Sequence, residues 1–132
     1  MTDICCIGHI TLDKIITPQH ISYMPGGTAY YFSRGKASLH ALTGYKLITA
    51  LGSKEYPVVD ELRKAGIDID VLPSRHTVYF ENRYGENSDN RTQRVLAKAD
   101  PFTIDALHKE NARFFHLGSL LADDFPPEVI KY

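Results

Sequence analysis

Long apolar runs are missing from this sequence. None approaches the ~18 residues that a membrane-spanning helix requires. The opening Met-Thr-Asp-Ile lacks the basic stretch and apolar core of a secretory leader. Cysteine is scarce as well: Cys5 and Cys6 are adjacent, and there is no other. Neighbours on a strand point to opposite faces, so these two are not expected to bridge. That excludes a disulfide framework and a cysteine-rich zinc site, and the expected compartment is the reducing cytoplasm. Nor is there an excess of charge of one sign: 15 Lys+Arg stand against 16 Asp+Glu, for a net charge of -1. Bulk-charge attraction to nucleic acid or a membrane surface is therefore not expected. Neither the G-x-x-x-x-G-K-[ST] phosphate loop nor the G-x-G-x-x-G dinucleotide fingerprint occurs. His9, His20, His40, His76, His108 and His116 show no i, i+4 pairing, so no metal site is expected. No serine stands in a nucleophile-elbow context.

What is present reads as one domain with one ordinary core. Ile4-Cys5-Cys6-Ile7-Gly8 is a short apolar run closed by glycine, the pattern of a strand buried on both faces. Residues 12–17 and 20–24 are β-prone pieces separated by Pro18-Gln19, expected to form a half-exposed antiparallel unit. Pro25-Gly26-Gly27 breaks the chain, and a helix is expected over 28–42 with Gly44 as its cap. Ala29, Ser33, Ala37 and Ala41 give that helix a small stripe, suited to lying close on a sheet. Residues 45–51 read as a strand. Pro57 and Gly66 bracket a helix with an apolar face of Val58, Val59, Leu62 and Ala65. Residues 67–72 form another strand. Alternation of strand and helix is the mark of parallel α/β architecture.

The pattern then changes. Residues 77–84 and 91–97 read as a hairpin around the polar turn 85–90, with one open face. Asp100-Pro101 has the form of a helix start, with Asp as cap and Pro at the first position. Phe114-Phe115-His116-Leu117-Gly118 reads as a further buried strand, and a last helix opens at Pro126-Pro127. That helix has barely one turn, too little to offset its nucleation cost. The expectation is an amino-terminal piece of a longer protein.

Two places carry chemistry. Gly26-Gly27 ahead of a helix is either a tight turn or a bare backbone corner that binds anions or hydroxyls. Asp13 follows the first buried strand, where ligands of parallel sheets bind. It is either a solvated loop carboxylate or an acceptor for vicinal hydroxyls. Tyr79 and Tyr84 are ordinary sheet-face tyrosines or stacking platforms. Arg83, Arg91 and Arg94 are a solvated face or contacts to an anionic or hydroxylated ligand.

Taken in order, Gly8-His9-Ile10-Thr11-Leu12-Asp13, Pro25-Gly26-Gly27-Thr28-Ala29, Ala50-Leu51-Gly52, Leu62-Arg63-Lys64-Ala65-Gly66-Ile67-Asp68 and Phe115-His116-Leu117-Gly118-Ser119-Leu120 resemble the amino-terminal half of the ribokinase-like (PfkB-type) carbohydrate kinases. The resemblance implies an α/β fold: a layered parallel sheet with helices on both faces, plus a small β-sheet lid made of segments 12–24 and 77–97 within residues 1–132. It implies that Asp13, Gly26 and Gly27 bind a sugar, with Thr28 beside them. Tyr31 stands where the family usually has a sugar-binding asparagine, a departure that bears on substrate preference. Arg91, Gln93 and Arg94 are implied lid contacts.

The implied activity is ATP- and magnesium-dependent phosphorylation of a sugar hydroxyl, with a nucleoside as the variant acceptor. The family's Gly-Ala-Gly-Asp segment and nucleotide site belong to the carboxyl-terminal half, and no Gly-x-Gly-Asp occurs here. This chain is thus expected to supply the acceptor site and lid without the ATP site, and not to transfer phosphate alone. A rival reading is a non-catalytic polyol-binding module, or one that forms a homodimer through the lid.

Overall fold

The computed structural model describes residues 2–87 and 89–132; Ser88, within the expected turn 85–90, lies outside the described residues. Among the described residues thirteen elements follow one another, of which one is a 3-10 turn at Ser53–Glu55. The strands are β1 (Thr2–Ile7), β2 (Thr11–Ile16), β3 (Ile21–Gly26), β4 (Tyr45–Leu51), β5 (Asp68–Pro73), β6 (Val78–Tyr84), β7 (Arg91–Ala97) and β8 (Ala112–Leu117). The helices are α1 (Thr28–Ser38), α2 (Tyr56–Lys64), α3 (Ile104–Leu107) and α4 (Pro127–Lys131). Among the described residues, no helix is long and apolar enough to cross a membrane.

The strands make two four-stranded sheets. The larger has the order β5-β4-β1-β8 and is parallel throughout. The smaller has the order β3-β2-β6-β7, with β2 and β6 parallel at its centre and antiparallel arms on both sides. Helices cover both faces of the larger sheet. Cys6, Leu47, Leu51 and Ile69 meet Ala29 of α1 and Val59 and Leu62 of α2. Cys5, Ile7, Ile48 and Ala50 meet Phe102, Leu107 and Phe125. Each side chain of Leu47 type buried in this way contributes about 1.5–3 kcal/mol. Cys5 and Cys6 thus face opposite cores, and both are free thiols.

The small stripe of α1 works as expected over Ala29 and Ser33, both fully buried, with the Ser33 hydroxyl 2.7 Å from the Tyr45 hydroxyl. The helix is shorter than the pattern suggests and stops at Ser38. His40 takes a left-handed conformation, and Gly44 turns the chain into β4 instead of capping α1. Its carbonyl accepts the N–H groups of Asp3 and Ile4. Gly66 ends α2 as expected, with φ of 95°.

Two further expectations fail. Asp100 does not start a helix. Its N–H donates to Ser74 Oγ and its carbonyl meets His9, so tertiary partners claim it. α3 starts at Ile104, and Thr103 caps it by accepting from Ala106 N–H at 3.2 Å. The second failure is β8, which is not buried: Phe114 is 65% and Phe115 48% exposed. It is an edge strand, paired only to β1 among the described residues, and the apolar pattern does not reveal what covers it.

Candidate functional site

The end of β1, the start of β2 and the start of α1 meet at a point fixed by glycines. Gly8 has no room for a side chain: a Cβ would lie 2.9 Å from the Gly118 carbonyl oxygen and 3.0 Å from the Ala29 Cβ. Gly27 precedes α1 with φ of 96°, a conformation that L side chains rarely adopt. Thr11 registers opposite Gly26, and Asp13 opposite Met24, in the β2–β3 pair. This register brings the Asp13 carboxylate directly against the Gly26 backbone, where a Cβ would collide with Oδ2 and lie 2.9 Å from Cγ. Asp13 Oδ1 accepts from the Thr11 hydroxyl at 2.7 Å. Asp13, Gly26 and Gly27, far apart in sequence, thus share one corner.

α1 opens on that corner with no side-chain cap and no acid in its first turn. Its first N–H donors and its positive dipole end are therefore open to an oxygen ligand. Thr28, its first residue, is exposed. Tyr31 is one turn on and 56% exposed. Burial pushes its phenol above the ordinary value, and the nearby Asp13 charge and Tyr84 add to the rise. The same cause acts on Asp13: burial raises its carboxyl, against the Thr11 hydroxyl and the Arg91 charge, which lower it.

Strand pleating decides which groups of the smaller sheet share this space. Asp13 registers with Phe80, and Phe80 with Val95. Two residues along, Ile15 registers with Asn82, and Asn82 with Gln93; beyond them, Tyr84 registers with Arg91. These residues share the Asp13 face. Gln93 Nε2 donates to Asn82 Oδ1 at 2.9 Å, and Asn82 is buried.

Arg94 is not brought here. It registers with Glu81, and Glu81 with Lys14, so it lies on the opposite face. Its guanidinium is 3.8 Å from Glu81 Oε2. Sequence reading named Arg91 and Gln93 but missed Asn82. The available signal was its even spacing from Phe80 and Tyr84, once Asp13 was taken as the reference for the face.

Among the described residues, no group of three or more His, Cys, Asp or Glu could hold a metal ion. A groove of about 550 Å³ lies elsewhere, along the β5 edge, lined by Asp60, Arg63, Asp70 and Glu110. There Lys46 bridges Asp70 at 2.7 Å and Glu110 at 3.0 Å.

No protein-family model and no curated protein matches the sequence. Solved structures do. A pyrophosphate-dependent kinase in the ribokinase family, solved as a sulfate complex, matches with a TM-score of 0.80 and 27% identity, over 97% of this chain and 45% of that one. A ribokinase-family pyrophosphate-dependent kinase complexed with a pyrophosphate analog and myo-inositol matches with a TM-score of 0.82 and 26% identity, over 97% and 44%. A third structure, 23% identical with a TM-score of 0.82 over 97% and 42%, concerns a pyrophosphate-dependent myo-inositol-1 kinase. Exchange of an asparagine and a serine for leucine, eleven positions apart, converted it into a myo-inositol-3 kinase.

The fold is ribokinase-like: a parallel sheet with helices on both faces, joined to a second small sheet. More particularly, the chain is similar to ribokinase-family kinases and spans less than half the length of those it matches.

Proposed function

We propose that this chain is the acceptor-binding half of a kinase that phosphorylates a hydroxyl of a sugar or cyclitol. The observation that carries the reading is the corner where the Asp13 carboxylate lies against Gly26, ahead of the uncapped start of α1. A carboxylate accepts from two neighbouring hydroxyls, and bare backbone lets a ring approach closely. Asn82, Tyr84, Arg91 and Gln93 would face the bound ring from the smaller sheet, which acts as the lid and excludes water. The phenol of Tyr31 would replace an amide at the rim, favouring a flat or stacked contact.

Asn82 and Gln93 stand eleven positions apart and face each other across β6 and β7. The two residues whose exchange moved the phosphorylated position of a myo-inositol kinase have the same separation. That parallel supports Asn82 and Gln93 as the pair that decides which hydroxyl is presented.

ATP with magnesium is the donor implied by the family resemblance, and pyrophosphate is the donor named for all three similar structures. Among the described residues, no group of three or more His, Cys, Asp or Glu could hold a magnesium ion. The chain alone binds the acceptor without transferring phosphate. The outward lid face exposes Ile21, Tyr23 and Leu96, which supports a lid-to-lid homodimer.

Calorimetric titration of the chain with myo-inositol, ribose and adenosine tests the reading. One cyclic polyol should bind, and Asp13→Ala should weaken it by roughly 1–3 kcal/mol, about ten- to a hundred-fold. Binding of none of the three, or affinity unchanged by the substitution, would overturn it.

A further inference from the structure

Behind the Gly26–Gly27 corner lies a buried polar atom without a partner. His9, in the turn between β1 and β2, has no solvent exposure. Its ring stacks on Phe102 with centroids 4.4 Å apart, and Phe102 stacks on Phe125. Its Nε2 is 2.9 Å from the Asp100 carbonyl oxygen. A carbonyl only accepts, so Nε2 carries a proton. Nδ1 is left buried with no hydrogen bond. It faces Asp124 Oδ1 at 3.5 Å, an ion-pair distance longer than an ordinary hydrogen bond.

Asp124 is also buried, and its Oδ2 accepts the N–H groups of Leu120 at 2.8 Å and Leu121 at 3.0 Å. Burial pushes its carboxyl up, but His9 and those two N–H groups outweigh burial and hold it below the ordinary value. Asp124 is therefore an anion. A bare Nδ1 would set a lone pair against it out of reach of water, whereas a protonated Nδ1 makes the same contact an attraction.

The segment that Asp124 holds abuts the corner. Gly118 N–H donates to the Ile7 carbonyl at 2.8 Å. A Cβ on Gly27 would lie 2.7 Å from the His9 carbonyl oxygen and 3.4 Å from Leu120 Cδ1. Gly27 is thus wedged between the backbone of His9 and the side chain of Leu120, and the His9–Asp124 contact joins these two jaws from behind.

We propose that His9, protonated on both ring nitrogens, and Asp124 form a positioning pair that clamps residues 118–124 against Gly27 and so sets the shape of the acceptor corner. The effect on the acceptor rests on the function proposed above; the clamp itself does not. Asp124 is the titratable side chain facing the ring. Asp100 presents its carbonyl and Phe102 its ring, while Lys98 and Asp123 pair with each other at 3.4 Å on the surface.

Nitrogen-15 NMR of the full chain at neutral pH tests this. Both His9 ring nitrogens should carry the shifts of protonated nitrogens in the native chain, and the amide signals of Gly27 and Leu120 should move in Asp124→Asn. A bare Nδ1 in the native ring, or Gly27 and Leu120 signals unchanged by the substitution, would overturn the clamp. If Asp124→Asn does not fold, the state of Nδ1 in the native chain decides alone. In a second arm, myo-inositol affinity should fall several-fold in Asp124→Asn. Failure of the native chain to bind polyol would count against the proposed function while leaving the NMR signals to judge the clamp.

Discussion

The Asp13 carboxylate fills the space that a side chain at residue 26 would need, so Asp13 and Gly26 function as one unit. Gly26→Ala should push the carboxylate off the corner and weaken acceptor binding about as much as Asp13→Ala, on the order of ten- to a hundred-fold. Gly35→Ala is the matched control. It lies in α1 with nothing within 4 Å of its added Cβ. It should leave binding unchanged and stabilise the chain by about 0.5–1 kcal/mol. Calorimetry and thermal unfolding on the two variants distinguish these outcomes.

Burial raises the Asp13 carboxyl above its ordinary value of 3.8. A raised folded value means that Asp13 stabilises the fold when protonated, below the ordinary value, and that this is lost as pH rises through the folded value. Asp124 is lowered, so its contribution runs the other way: present above 3.8 and lost as pH falls through its folded value. Asp13→Asn should therefore raise the unfolding temperature near neutral pH while weakening acceptor binding. Asp124→Asn should lower the unfolding temperature near neutral pH and flatten the acid limb. Thermal melts across the acid range check both signs.

The two faces of the lid should respond differently. Arg94→Ala removes a group paired with Glu81 on the far face and should leave acceptor affinity within two-fold, as surface changes usually do. Arg91→Ala removes the charge that lowers the Asp13 carboxyl; acceptor affinity should fall and the Asp13 titration should move upward. A larger loss from Arg94→Ala than from Arg91→Ala would reverse the assignment of faces.

β8 is an edge strand with Phe114, Phe115 and Leu117 exposed. Such an edge invites pairing. The chain should self-associate in sedimentation velocity at micromolar concentration, and Phe115→Lys should shift it toward monomer. A monodisperse native monomer would count against this.

Cys5 and Cys6 should resist modification. Burial pushes the Cys5 thiol up to about 12 and Cys6 up to about 11, so the thiolate is rare at neutral pH. A thiol reagent should label both only as fast as the chain opens, with labelling rising steeply through the unfolding transition.

Much of this was readable in the chain itself. Cys5 and Cys6 facing different cores, Pro57 and Gly66 bracketing α2, and the small stripe of α1 all follow from local periodicity and backbone preference. Those rules act over a few residues, and so does the sequence evidence for them. Asp13 and the Gly26–Gly27 corner were visible as candidates because glycine and an isolated carboxylate leave marks in a sequence.

Longer-range facts needed the assembled chain. Whether Arg91 or Arg94 faces Asp13 depends on strand register, since a shift of one residue exchanges the faces of the lid. Whether β8 is covered depends on its neighbours in the sheet and not on its own apolar residues. The roles of Asp100 and Asp124 depend on His9, some ninety to a hundred and fifteen positions away along the chain. Sequence alone determined the elements and their alternation, because those depend on nearest neighbours. Only the tertiary structure decided which polar groups meet, because hydrogen bonds and charge pairs act through space over a few ångströms, whatever the separation along the chain.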